Sequence, residues 1–174
     1  MNEIFGIPSH PLIVHASVVL LPLALVGVIL CLVRPSWRSA LIYPTVVLGG
    51  IGAFTAILAT QSGEWLQERV QDSQLVSNHQ QLGEMARNFA ILFAGALLVW
   101  GVRELVVVNE TIKSGFLKDF LSPKWMGTLI TVGLVLFGTL TTVWIVQAGH
   151  SGAKAAWHGK VGAPRPGSGE NGGG

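Results

Sequence analysis

The chain has 174 residues, 50% of them hydrophobic and only 11% charged, with a formal net charge of +2. Soluble domains carry charge at about a quarter of their positions, so a water-soluble globular domain is excluded, and the small net charge without an aromatic-laced basic patch excludes a nucleic-acid face. A single cysteine, Cys31, excludes an internal disulfide, a cysteine-rich zinc site and covalent haem attachment through Cys-x-x-Cys-His.

No Lys, Arg, Asp or Glu occurs in Ile4–Val33 (30 residues), Ser39–Gly63 (25) or Trp125–Ala153 (29). A membrane-spanning helix needs about 20 predominantly apolar residues, so each run is long enough to span, and none has the polar face of a soluble core helix. The start, Met1-Asn2-Glu3-Ile4-Phe5, lacks a basic region, and the apolar run after it is too long for a secretory h-region. A removable signal peptide is therefore not expected, and four spans leave no room for a separate soluble catalytic domain.

Four spans follow in chain order. The first covers about 11–33, with Pro11 in the first helical turn, Ser9 or His10 as N-cap, and a kink at Pro22. The second covers about 41–60, where Gly49/Ala53 and Gly52/Ala56 are small-xxx-small pairs that allow close helix approach. The third covers about 79–108 and is interrupted by Arg103 and Glu104, charges expected to snorkel to the headgroups. Its small residues Gly83, Ala90, Ala94 and Gly101 predict a packing seam. The fourth covers about 125–148.

The expected fold is an all-α integral membrane four-helix bundle, up-down-up-down, over residues 1–161. Short interfacial helices are expected in the connections: Trp65, Leu66 and Val70 in one, and Ile112, Phe116, Leu117, Phe120 and Leu121 opposite Lys113, Lys118 and Asp119 in another. Residues 162–174 hold six glycines and two prolines, which predicts a disordered tail. Trp37, Trp100 and Trp125 at one interface and Trp65, Trp144 and Trp157 at the other read as aromatic belts.

This alternation places all five histidines on one side of the bilayer, called side A. His10 and His15 open the first span, His79 opens the third, and His150 closes the fourth with His158 beyond it. Side B has none. Side B carries Arg34, Arg38, Arg103, Lys113, Lys118 and Lys124, against Arg69, Arg87, Lys154, Lys160 and Arg165 on side A. The positive-inside rule then places side B in the cytoplasm, with the histidines and both termini on the outside of the membrane. His79 shares a helical face with Gly83, Ala86 and Ala90 and is expected to point into the bundle. His15, about 140° around the helix from His10, lies a turn inside the membrane and is expected to need a buried partner.

Three stretches together carry a resemblance. They are His10-Pro11-Leu12-Ile13-Val14-His15, then Ser62-Gly63-Glu64 with His79-Gln80-Gln81-Leu82-Gly83-Glu84, and then Gly149-His150-Ser151-Gly152-Ala153-Lys154. Over roughly residues 5 to 160 the chain resembles the bacterial membrane proteins of domain-of-unknown-function family 2231. That resemblance implies a four-helix membrane domain without an assigned activity. Fusions of some relatives to Rieske or c-type cytochrome domains imply a redox setting for the family.

The histidines suggest a b-type haem between facing helices, with His15, His79, His150 and His10 as candidate ligands and Arg69 or Lys154 near the propionates. The protein would then be an electron-transfer or redox-complex subunit. A mononuclear metal held by His15, His79, His150, Glu64 and Glu84 is the rival, weakened by the lack of short-range ligand spacing. A third reading is a structural or accessory subunit of a larger membrane complex, its histidines fixing helix ends. A proton pathway lacks a matching intramembrane acid on side B. No phosphate loop or catalytic triad is present, so an enzyme is not expected.

Overall fold

The computed structural model describes residues 3–4, 7–67, 73–109, 111 and 113–157, the side chains of 3–4, 7–9 and 66–67 excepted. A two-residue antiparallel pair, β1 (Glu3–Ile4) with β2 (Ile7–Pro8), leads into α1 (Ser9–Val33). A 3-10 turn at Pro35–Trp37 joins it to α2 (Arg38–Gln67). Then follow α3 (Gln74–Arg103), a π-helical turn at Glu104–Val108, the short α4 (Gly115–Leu121) and α5 (Lys124–Trp157). The four long helices are long and apolar enough to cross a membrane. The protein is an all-α, multi-pass membrane bundle.

The helices outrun the apolar windows at side A. α2 continues to Gln67 and α3 starts at Gln74, capped by the Ser73 hydroxyl, which accepts from the Val76 amide. α5 runs on to Trp157. Hydropathy marks where a helix meets lipid, whereas the helix itself ends where its backbone bonds do. Trp65 and Leu66 therefore belong to α2 and do not form a separate surface helix. His10 is likewise inside α1, not at its cap, and α1 is helical through Pro22. Val70, His158 and the 162–174 tail lie outside the described residues.

α1 and α3 each pack against both α2 and α5, which puts α1 diagonal to α3 and α2 diagonal to α5. The buried face of α1 is Ser17, Leu21, Ala24, Val28 and Cys31, a run of steps of 4, 3, 4 and 3. α3 buries Ala86, Ala90, Phe93, Leu97 and Trp100 with the same steps. This is the seam spacing of helices that wrap left-handedly about one another. Thr45, Gly49, Gly52, Ala56 and Ala59 repeat it on α2, and Leu134, Gly138, Thr141, Ile145 and Ala148 on α5. Ala24, Phe93, Leu97 and Leu134 are fully buried and close the middle of the bundle. Val19, Leu23, Ile51, Phe54, Leu98, Leu129 and Val146 face outward, where lipid covers them.

The glycines set how near the helices come. A Cβ at Gly138 would sit 2.7 Å from Leu25 Cδ1 and 3.0 Å from the Phe93 ring, and one at Gly49 would sit 2.1 Å from Leu97 Cδ1. At both, any side chain would have to displace its neighbour.

At side B the charges do not snorkel. Glu104 is 4% exposed and pairs with Arg38 at 2.8 Å, while the Arg38 guanidinium lies 5.5 Å from the Trp100 ring centroid. α2 begins with Arg38 beside the end of α3, so a partner is already within reach. Arg103 Nε donates to the Leu121 carbonyl at 3.2 Å and ties α4 to the bundle. Trp100 is consequently part of the core rather than of an aromatic belt, because it falls on the buried seam of α3. Leu121 is buried, and Phe116 and Phe120 stay exposed on α4.

Candidate functional site

At side A two histidines reach across helix pairs in the same way. His10 of α1 donates from Nδ1 to the Ala59 carbonyl of α2 at 2.8 Å and lies 3.2 Å from Ser62 Oγ. His79 of α3 donates from Nδ1 to the Ala148 carbonyl of α5 at 3.0 Å and lies 3.1 Å from Ser151 Oγ. In each case the serine hydroxyl donates back to that same carbonyl at 2.9 Å. A carbonyl only accepts, and each serine proton is already committed to it. Both rings must therefore carry a proton on Nδ1, and in the neutral ring the lone pair is then on Nε2.

The backbone under each ring is a glycine. A Cβ at Gly63 would stand 3.1 Å from His10 Cε1, and one at Gly152 would stand 2.8 Å from His79 Cε1. The two half-buried rings meet across the α1/α3 diagonal, with centroids 6.3 Å apart and planes at 82°. The site thus lies at the end of the bundle, on its axis, between the two helices that stand diagonal to each other.

Heptad position explains the choice of histidines. His10 stands seven residues before Ser17 and His79 seven before Ala86, so both continue the buried seams. His15 lies two residues from Ser17, about 200° around the helix from the seam. Its side chain is exposed, and its Nδ1 turns to the Pro11 carbonyl of its own helix. The expectation of a buried partner for His15 is thereby corrected. His150 is exposed as well. Glu84 accepts from Gln80 Nε2 at 3.2 Å within its own helix, and Glu64 is exposed. Among the described residues no group of three or more His, Cys, Asp and Glu side chains is placed to hold a metal ion. The structure brings together His10 and His79, and leaves His15, His150 and Glu64 on the outside.

Sequence reasoning missed Ser62, Ser151 and the paired carbonyls. The signal was present: Ala59-Thr60-Gln61-Ser62-Gly63 and Ala148-Gly149-His150-Ser151-Gly152 share the pattern Ala-x-x-Ser-Gly. Each follows a seam of identical spacing on its own helix.

Comparison with curated proteins and with solved structures gives no match. A family model described as a predicted membrane protein, DUF2231, matches residues 6–165, a span that holds both histidines and both Ala-x-x-Ser-Gly segments. The chain belongs to the DUF2231 family of predicted membrane proteins.

Proposed function

We propose that His10 and His79 would hold a b-type haem at the side A end of the bundle, and that the protein is an electron-transfer or redox-complex subunit. One observation carries this reading: both rings are held as the Nδ1–H tautomer by a backbone carbonyl, with Nε2 left as a bare donor. Ligating histidines are oriented this way, with the second nitrogen bonded to a carbonyl or carboxylate behind it. The two rings stand with centroids 6.3 Å apart, near enough for one bound group to reach both. The donor set favours haem over a lone ion. A lone ion asks three or four donors of the protein, whereas a haem would carry donors of its own and ask the protein for two at most. When bound, the haem would supply one-electron chemistry. The chain's part is to hold two neutral imidazoles on the axis and to keep the lipid-facing surface apolar.

The test is the absorption spectrum and iron content of the purified full chain. A reducible Soret band with near-stoichiometric iron, lost in His10→Ala and in His79→Ala but kept in His15→Ala, is the expected result. A folded, colourless and iron-free preparation, even after haem is added, would overturn the reading and leave the histidines as structural latches of an accessory subunit. The proposal extends to orientation, with side A outside the bacterial inner membrane: reporter fusions at Ser39 and after Trp157 should report the cytoplasm and the exterior respectively.

A further inference from the structure

We infer that the chain is a tandem duplication of one histidine-latched helical hairpin, in which Ser62 and Gly63 do for His10 what Ser151 and Gly152 do for His79, as equivalent positioning residues of a single two-fold site. The inference stands on register as well as likeness. The offset that carries His10 onto His79 also carries Ser17, Leu21, Ala24, Val28 and Cys31 onto Ala86, Ala90, Phe93, Leu97 and Trp100. The same offset carries Arg34 onto Arg103. A second offset, from Ala59 to Ala148, carries Gly49 onto Gly138, Ala56 onto Ile145, Ser62 onto Ser151 and Gly63 onto Gly152. The two offsets differ only because the second hairpin's connection is longer by the segment that holds α4.

The packing obeys the same two-fold rule. Exchanging α1 with α3 and α2 with α5 maps the α1–α2 contact onto α3–α5 and the α2–α3 contact onto α5–α1, and all four are present. Parallel repeats related by an axis along the membrane normal are an established way to build membrane proteins, with sites at the repeat interface. Here that axis passes between His10 and His79. Whatever the pair binds is therefore offered the same group twice, by the same construction: ring, carbonyl, hydroxyl, and a glycine that clears the space.

The experiment uses the full chain in detergent, with histidine imidazoles labelled with nitrogen-15. In the wild type the neutral rings of both His10 and His79 should be in the Nδ1–H form. Ser62→Ala should change the Nδ1–H to Nε2–H ratio of His10 alone, and Ser151→Ala that of His79 alone, each by about fivefold, the worth of one net hydrogen bond. A second chain exchanges the segments, carrying Thr60→Gly, Gln61→His, Gly149→Thr and His150→Gln. It should keep both tautomers and its melting temperature, because the helix cost of glycine at one site is returned at the other. Responses of the two histidines that differ by tenfold or more, or an exchanged chain that frees only one ring, would overturn the equivalence. If the serine variants fail to fold, the exchanged chain retains both serines and decides alone. The inference deepens the haem reading but does not depend on it. With haem bound, the two serine variants should shift the reduction potential equally. A colourless wild type would remove the haem while the tautomer measurement still judged the duplication.

Discussion

The two ends of the bundle handle buried polarity in opposite ways. At side A, neutral groups are used twice over: two imidazoles, two carbonyls and two hydroxyls, arranged alike about one axis. At side B, among the described residues, the buried ion pair is Arg38–Glu104, set against Trp100. Its counterpart in the other hairpin is missing, because the offset that maps Arg103 to Arg34 maps Glu104 to Pro35. The difference teaches where each end gets its rigidity. Side A is fixed by a repeated fit of ring, carbonyl and hydroxyl. Side B is fixed by charge, in the half where α4 was added and the two-fold relation lapses.

Breaking side B should have the largest effect. Arg38→Met leaves Glu104 buried without its cation, and stranding one member of a buried pair costs about 3–5 kcal/mol. The lower figure is expected because the Arg38 side chain keeps 31% exposure and water shares the load. Arg38→Met with Glu104→Leu should recover to within about 1 kcal/mol of the wild type, since an apolar replacement of the whole pair is near neutral. Denaturant titration in micelles measures both. Equal loss in the single and double variants would mean that the pair itself, and not the stranded charge, holds side B.

The sealed middle separates the two ends and tests how strictly the hairpins match. Gly138→Val pushes a methyl-bearing Cβ against Leu25 and the Phe93 ring, and overpacking of this kind costs about 1–3 kcal/mol. Its counterpart Gly49→Val meets chiefly the flexible end of Leu97, so it should cost less, near 1 kcal/mol on the same scale. The ranking, read from thermal melts, sharpens the comparison: the fold repeats while the side chains that fill it do not.

Much of this fold was legible in the sequence, and the reasons are physical. Charge-free runs of 25 to 30 residues admit one reading in lipid, so the first, second and fourth spans followed at once, while the third, interrupted by Arg103 and Glu104, rested on charges being tolerated near a helix end. What hydropathy could not supply was phase. A helix that is apolar all round gives no moment by which to tell its inner face, so depth in the membrane alone favoured His15 over His10. The choice is made by the 4-3-4-3 seam through Ser17, which shows only when two helices are laid side by side. Glu104 was misplaced for a related reason. Its position near a helix end suggested an escape to water, and only the arrival of Arg38 from α2 makes burial tolerable. The site serines were hidden because a Ser-Gly pair is common; the repeated Ala-x-x-Ser-Gly at matched register is what gives it meaning.

Side A should respond to mutation more gently than side B, and evenly. His10→Ala and His79→Ala each remove one Nδ1–H donor from a carbonyl that still accepts from its serine. Each should cost about 1 kcal/mol in the ligand-free protein, the net worth of one hydrogen bond. The two losses should agree within about 0.5 kcal/mol and should add in the double variant, apart from a small term for the ring–ring contact. Thermal melts of the three variants test the evenness. A His79→Ala loss several times that of His10→Ala would mean that α3 and α5 alone carry the side A end.

The smallest effect is the one that discriminates most. His15 stands in the same charge-free run as His10, and composition gives the two equal standing. Its ring is exposed and its Nδ1 serves only a carbonyl of its own helix. His15→Ala therefore removes a local contact without stranding a group on another helix, and exposed substitutions of that kind stay within about 0.5 kcal/mol. His15→Leu should do the same or stabilise slightly, because an apolar side chain suits a lipid-facing position. Melting curves of both variants, set beside His10→Ala, give the test its force. A destabilisation by His15→Ala larger than that by His10→Ala would rotate α1 by about half a turn, withdraw His10 from the axis, and dissolve the match between the two hairpins.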